Sequence, residues 1–206
     1  MRIKICGLFR DEDIDYVNEA RPDYAGFVFA ESKRQVSAPF AQYLRFRLAD
    51  DIAPVGVFMN APIAEVAALY HNGTISIAQL HGAEDESYIS QLKKICSTNK
   101  KHTQIQVIKV INGEDLKNDI PETAADYYLI DSGAGTGKTF NWKLLNQKKI
   151  KKPWFLAGGI DSKNIEQAIA LNPFAVDISS GAETDGIKDR EKILQLISIA
   201  RKGNIQ

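Results

Sequence analysis

Eight times along this 206-residue chain, a short apolar run gives way to a helical or linking segment. The runs are Ile3–Cys6, Tyr24–Phe29, Ala53–Phe58, Ile75–Leu80, Gln104–Ile111, Tyr127–Ile130, Pro153–Ala157 and Phe174–Ile178. Each has the length and apolar content of a buried strand. Helical spacing follows at Asp11–Ala20, Pro39–Asp50, Pro62–Tyr70, Asp85–Cys96, Ser162–Leu171 and Asp189–Ala200. Acids open the first of these helices, and Ser162 or Asp161 is the expected cap of the fifth. Gly113–Thr123 is weakly patterned, and a poor helix begins at Trp142. The repeat length of roughly 20 to 30 residues is that of a (β/α)8 barrel, with an open doubly wound sheet as the alternative. Recurrent polar strand ends (Cys6, Asp131, Asp177) favour closure. No linker-like composition interrupts the chain, so residues 1–206 are expected to form one barrel domain.

Composition excludes several classes of function. Formal net charge is zero, which gives no reason to expect nucleic acid or an anionic membrane as a partner. Cys6 and Cys96 form no CxxC, and His71, His81 and His102 are not spaced as metal ligands, so neither a disulfide framework nor a metal site is expected. The N-terminus lacks the apolar core of a signal peptide, and no run approaches the ~20 apolar residues of a membrane span. The expected location is the cytoplasm.

The sixth strand carries the densest chemistry. It ends on a single carboxylate, Asp131, followed by Gly133, Gly135 and Gly137, then Lys138 and Thr139. Closely spaced glycines let backbone N–H groups converge on an anion. The order differs from a nucleotide P-loop, because Ser132 stands where that motif needs its first glycine. A mobile glycine-rich surface loop is the bland alternative. In a barrel, phosphate sites lie near strands seven and eight, where Gly158-Gly159 and Ser179-Ser180-Gly181 fall.

Cys6 ends strand one, either as a small buried hydrophobe or as a thiolate base or nucleophile. Lys4 shares its strand face and is a candidate cation for it, with Asp177 on strand eight as a partner for Lys4. Asp131 is either a loop-stabilising carboxylate or a proton donor. Arg34 could clamp a carboxylate in bidentate fashion or sit solvated in its loop. His81 is a site donor or a turn residue, and Cys96 belongs to the core.

Taken together, these stretches resemble the phosphoribosylanthranilate isomerase family of tryptophan biosynthesis. The resemblance is carried by Lys4-Ile5-Cys6-Gly7, Gly26-Phe27-Val28-Phe29 with Ser32 to Ser37, Val55-Gly56-Val57-Phe58 and Gln79-Leu80-His81-Gly82. Gly135 to Phe140 with Trp142, Leu156 to Ile160, Asp177 to Glu183 and Gly186 to Asp189 complete it in order along the chain. Departures are Lys33 where Pro is usual, Asn141 where Asp is common, and a poor match over Ile95 to Thr123.

The resemblance implies a (β/α)8 barrel and an Amadori rearrangement of a small phosphorylated aminoaldose, with no cofactor. It implies Cys6 as general base and Asp131 as general acid. It implies that Arg34 holds the anthranilate carboxylate and that backbone around Gly137, Gly158, Gly159, Ser180 and Gly181 holds phosphate. Gln79, His81, Asp177 and Ser179 are expected around the substrate. The expected assembly is a monomer or homodimer. The competing functions are the histidine-pathway isomerase, which uses an Asp where this chain has Cys6, and a non-catalytic phosphate-binding barrel.

Overall fold

A computed structural model describes residues 1–97, 104–117, 120, 122–131, 142, 145 and 150–202. In chain order its elements are β1 (Arg2–Cys6), α1 (Asp11–Ala20), β2 (Tyr24–Val28), α2 (Ala38–Arg47), β3 (Ala53–Phe58), α3 (Ile63–His71), β4 (Ile77–Leu80) and α4 (Glu86–Cys96). There follow β5 (Gln106–Asn112), a 3₁₀ turn (Gly113–Lys117), β6 (Tyr127–Asp131), β7 (Trp154–Ala157), α5 (Ile165–Ala170) and β8 (Ala175–Ile178). A 3₁₀ turn (Ser180–Ala182), β9 (Glu183–Thr184), β10 (Ile187–Lys188) and α6 (Arg190–Lys202) complete it. Strands β1 to β8 pair in sequence order, and β1 pairs with β8, so the parallel sheet closes into a barrel.

The strand pleat sorts side chains between two cores. Ile3 and Ile5 of β1 point outward and join α1 and α6 through Ile14, Val17, Ile193 and Leu196. Lys4, between them in sequence, is wholly buried on the opposite face of the strand. The barrel interior is packed by Val55, Ile77, Ile108, Leu129, Phe155 and Ala175. Its N-terminal end is plugged by aromatics: Phe155 packs against Tyr24, Tyr127 and Phe174 with ring centroids 5.3, 5.6 and 5.7 Å apart. With that end filled, the open end is the one where the strands finish.

Local chemistry explains most boundaries. Asp13, buried in the first turn of α1, accepts from the backbone N–H of Phe9 (3.0 Å) and of Arg10 (3.1 Å), meeting donors that a helix start leaves unpaired. Arg21, in a left-handed conformation with φ of 55°, terminates α1 ahead of Pro22. Two expectations need correction. The helix expected at Ser162–Leu171 spans only Ile165–Ala170, capped by neither Asp161 nor Ser162. The Asp161 carboxylate instead accepts from Lys163 N and the Asn164 side chain from Asp161 N, a turn that delays the helix. Ile95, whose spacing puts it in phase with Tyr88, Ile89 and Leu92, is exposed, because Ile89, Leu92 and Cys96 define the buried stripe of α4.

Phe155→Ala should empty the aromatic plug and cost about 3–5 kcal/mol of unfolding free energy in denaturant titration. A loss within about 0.5 kcal/mol, typical of a surface position, would show that the plug is not packed as described.

Candidate active site

At the C-terminal end of the barrel a cavity of about 410 Å³ opens between the strand ends. Cys6 and Asp131 both line it, from β1 and β6. Parallel pairing sets strand ends side by side at one rim, so residues 125 positions apart in sequence share a wall here.

Lys4 lies beneath the cavity floor. Its Nζ donates to Asp177 Oδ2 at 2.8 Å and to Gln79 Oε1 at 2.9 Å, joining β1 to β8 and to β4 across the barrel. Register already pairs Lys4 with Asp177. Burial opposes the charge on Lys4, but Asp177 and Cys6 outweigh it and hold the ammonium above its ordinary pKa. Cys6 experiences the same network from the other side. Burial pushes its thiol up, the Lys4 ammonium pulls it down, and Asp177 adds to the rise, with a net raised pKa. The second oxygen of Asp177, Oδ1, is buried and has no hydrogen-bond partner among the described residues.

Across the rim, His81 Nε2 stands 3.4 Å from Asp131 Oδ2. The loop that carries His81 is fixed locally. The buried Glu84 carboxylate accepts from Asn60 N at 2.5 Å and from Gly82 N at 2.8 Å, and Lys109 Nζ donates to Gly82 O at 2.7 Å. On the facing wall, Gly158, Gly159, Ser179 and Ser180 line the cavity after β7 and β8. Gly158 and Gly159 both have positive φ, 96° and 63°, which turns the backbone sharply at the strand end. Gly181 is not at the cavity surface. It is where the two loops touch, since a Cβ there would lie 1.9 Å from Ile160 O.

Gln79 and Asp177 thus reach the cavity while holding Lys4, and Ser179 Oγ donates to Cys6 O at 3.1 Å. Gly137, with the rest of the glycine-rich segment after Asp131, lies outside the described residues. Arg34 lines the cavity, but it is not a solvated loop charge. Its Nε and Nη2 donate to the two oxygens of Glu183 at 2.6 and 2.7 Å. Burial alone would raise the Glu183 carboxyl, yet Arg34 and Lys188 together hold it below the ordinary range.

Sequence reasoning assigned no role to Glu183 or Lys188. A signal was present: Asp185-Gly186 separates two-residue runs, a hairpin signature. The structure forms that hairpin, with Asp185 and Gly186 at φ of 52° and 80° and Glu183 directly opposite Lys188.

A family model described as N-(5'-phosphoribosyl)anthranilate (PRA) isomerase matches residues 3–198. The chain belongs to that family. It is 45% identical over 206 residues to the N-(5'-phosphoribosyl)anthranilate isomerase of Endomicrobium trichonymphae, covering 97% of this chain and 98% of that one. Among solved structures it resembles the phosphoribosyl anthranilate isomerase of Thermus thermophilus, with a TM-score of 0.82 and 28% identity over 99% of this chain and 100% of that one. A phosphoribosyl anthranilate isomerase in complex with reduced 1-(o-carboxyphenylamino)-1-deoxyribulose 5-phosphate is similar too, with a TM-score of 0.77 and 29% identity over 98% and 99%. Family membership agrees with the barrel, whose count and order of strands are those the sequence predicted.

The charges around Cys6 predict how it reacts. Its neighbours are Lys4 on its own strand, Asp177 on β8, Lys188 on the hairpin and Arg34 on the β2–α2 loop. A raised pKa means less thiolate at any given pH. Alkylation of Cys6 by iodoacetamide, followed by mass spectrometry, should therefore reach half its maximal rate above the ordinary thiol value of about 8.5. Lys4→Met should move that midpoint up and Asp177→Asn should move it down. A wild-type midpoint below the ordinary value would contradict the geometry.

Proposed function

We propose that this chain converts N-(5'-phosphoribosyl)anthranilate to 1-(2-carboxyphenylamino)-1-deoxyribulose 5-phosphate, an Amadori rearrangement in tryptophan biosynthesis. One observation carries the reading beyond family membership. A thiol and a carboxyl group from different strands face one cavity, walled on another side by two glycine-bearing turns.

The reaction is an isomerisation by successive proton transfers, of which ring opening and C2 deprotonation need a dedicated acid and base. Asp131, steadied by His81, protonates the furanose ring oxygen, and the C1–O bond breaks to leave an iminium between C1 and nitrogen. Cys6 as thiolate takes the proton from C2, and the electron pair of that bond forms the C1–C2 double bond of an enolamine. A proton returns to C1 as the C2 hydroxyl becomes the ketone. No atom or electron is gained or lost overall, so the chemistry needs no external oxidant or reductant.

The Lys4 ammonium below Cys6 favours the thiolate that the second step consumes. The turn backbones of Gly158, Gly159 and Ser180 suit the phosphate, because N–H groups bind a dianion without a second buried charge. Gly181 supports this wall from behind by letting the two turns touch. Arg34 suits the anthranilate carboxylate. Gln79, His81, Asp177 and Ser179 complete the lining. The chain works in the cytoplasm, as a monomer or homodimer, on a small-molecule substrate. Among the described residues, no helix is long and apolar enough to cross a membrane.

The test is loss of anthranilate-type fluorescence when purified protein meets the substrate. Cys6→Ala and Asp131→Ala should each lower kcat by roughly 10²- to 10⁴-fold, the usual contribution of one general acid or base. Near-full turnover by either variant would remove that residue from the chemistry. Addition of a chelator should leave wild-type turnover unchanged, and its loss would refute the metal-free mechanism.

A further inference from the structure

We propose that Glu183 and Lys188, on the β9–β10 hairpin, are positioning residues that aim Arg34 at the substrate's aryl carboxylate and so set a preference for carboxylated anilino sugars. This rests on the isomerase reading above.

Arg34 comes from the loop between β2 and α2, where its backbone N–H donates to Ser32 Oγ at 3.2 Å while Ser32, Lys33 and Gln35 on either side of it are exposed. A long side chain from such a loop loses much rotamer freedom on binding a ligand. Here that cost is met in advance. Gly7, at φ of 83°, leaves room for the stem of Arg34, since a Cβ at that position would sit 2.4 Å from Arg34 Cδ. Glu183 then grips the guanidinium by its Nε–Nη2 edge. A guanidinium has two edges that each match a carboxylate. With one taken, the Nη1–Nη2 edge is the one left, and among the described residues no acceptor is recorded on it. Arg34 lines the cavity, so a planar carboxylate arriving there meets a donor pair already oriented.

Charge is arranged to the same end. Arg34 and Glu183 alone would cancel and offer little to an anion. Lys188 Nζ, fully buried, lies 2.6 Å from Glu183 Oε1 and donates to Ser179 O at 3.1 Å. Two cations against one carboxylate leave the group of three with one positive charge. The hairpin itself is braced from both sides: Lys192 Nζ donates to Glu183 O at 2.6 Å, and Arg10 Nη2 donates to Lys188 O at 3.1 Å. Through Ser179, whose Oγ reaches Cys6 O, the same cluster sets the distance between the carboxylate end of the cavity and the strand that carries Cys6.

The experiment compares two non-reacting ligands by calorimetric titration of the full chain. One is the reduced product analogue, and the other is its phenylamino counterpart without the carboxylate. Wild-type protein should prefer the carboxylated ligand by about tenfold or more, the worth of a charged hydrogen bond. Glu183→Gln should weaken the carboxylated ligand by roughly tenfold and leave the other unchanged, with KM for substrate raised and kcat within about threefold. Unchanged binding of the second ligand also reports that the variant is folded. Glu183→Gln with Lys188→Met, which leaves no unpaired buried ammonium, should lose the same preference, and Glu183→Asp should restore part of it.

Equal or tighter binding of the carboxylated ligand by Glu183→Gln would overturn the proposal, because a residue that only neutralises charge would act in that way. Equal weakening of both ligands would overturn it as well, by showing a general structural role. A wild-type protein that neither binds these ligands nor turns over substrate sinks the isomerase reading, and this inference with it.

Discussion

The Lys4 ammonium, enclosed inside the barrel, is the constraint on which the mouth of this molecule depends. It has no exposure, and its partners come from β8 and β4. A charge in that position is tolerated only when every donor is used and an opposite charge is close. The Asp177–Lys4–Gln79 bridge therefore fixes the interior of three strands at one level. Cys6 sits one step further toward the open end, where the same ammonium reaches it. An apolar residue in place of Lys4 would fill the space, but it would leave the Asp177 carboxylate buried without its cation, and burial and Asp177 would then both push the Cys6 thiol up. Stability of the interior and reactivity of the thiol are two consequences of one buried charge.

A closed parallel barrel explains why the remaining groups converge. Its N-terminal end is filled by Phe155 and the rings around it, so ligand can enter only where the strands finish. Strands β1, β6 and β7 end there on Cys6, Asp131 and Ala157, and the turn beyond β7 is tight. Gly158 and Gly159 take up conformations that side chains disfavour, and Gly181 allows the β7 and β8 turns to touch. These turns offer backbone donors, whereas the β1, β4 and β6 ends offer side chains. One rim thus separates a face suited to anion binding from a face suited to proton transfer.

Much of this was legible in the chain. Alternating strand faces already put Lys4 and Cys6 together and set Ile3 and Ile5 on the other side, because the strand period of two is a local property. The polar ends at Cys6, Asp131 and Asp177 stood out for the same reason. Errors arose where local rules competed. Asp161 and Asn164 bonded nearby backbone and delayed α5, although the apolar spacing suggested an earlier start. Ile95 fitted a helical stripe by spacing but fell at its edge once α4 was oriented against α3.

By itself, then, the amino-acid order determined the number of barrel strands and their sequence along the chain, since both follow from spacing over a few positions. Tertiary structure alone decided who meets whom across the barrel. Arg34 and Glu183 lie 149 positions apart, and Lys4 and Gln79 lie 75 apart, distances over which no periodicity carries information. Glu183 could not be read as the partner of Arg34, because it belongs to a six-residue hairpin that meets the loop after β2 only in the closed barrel.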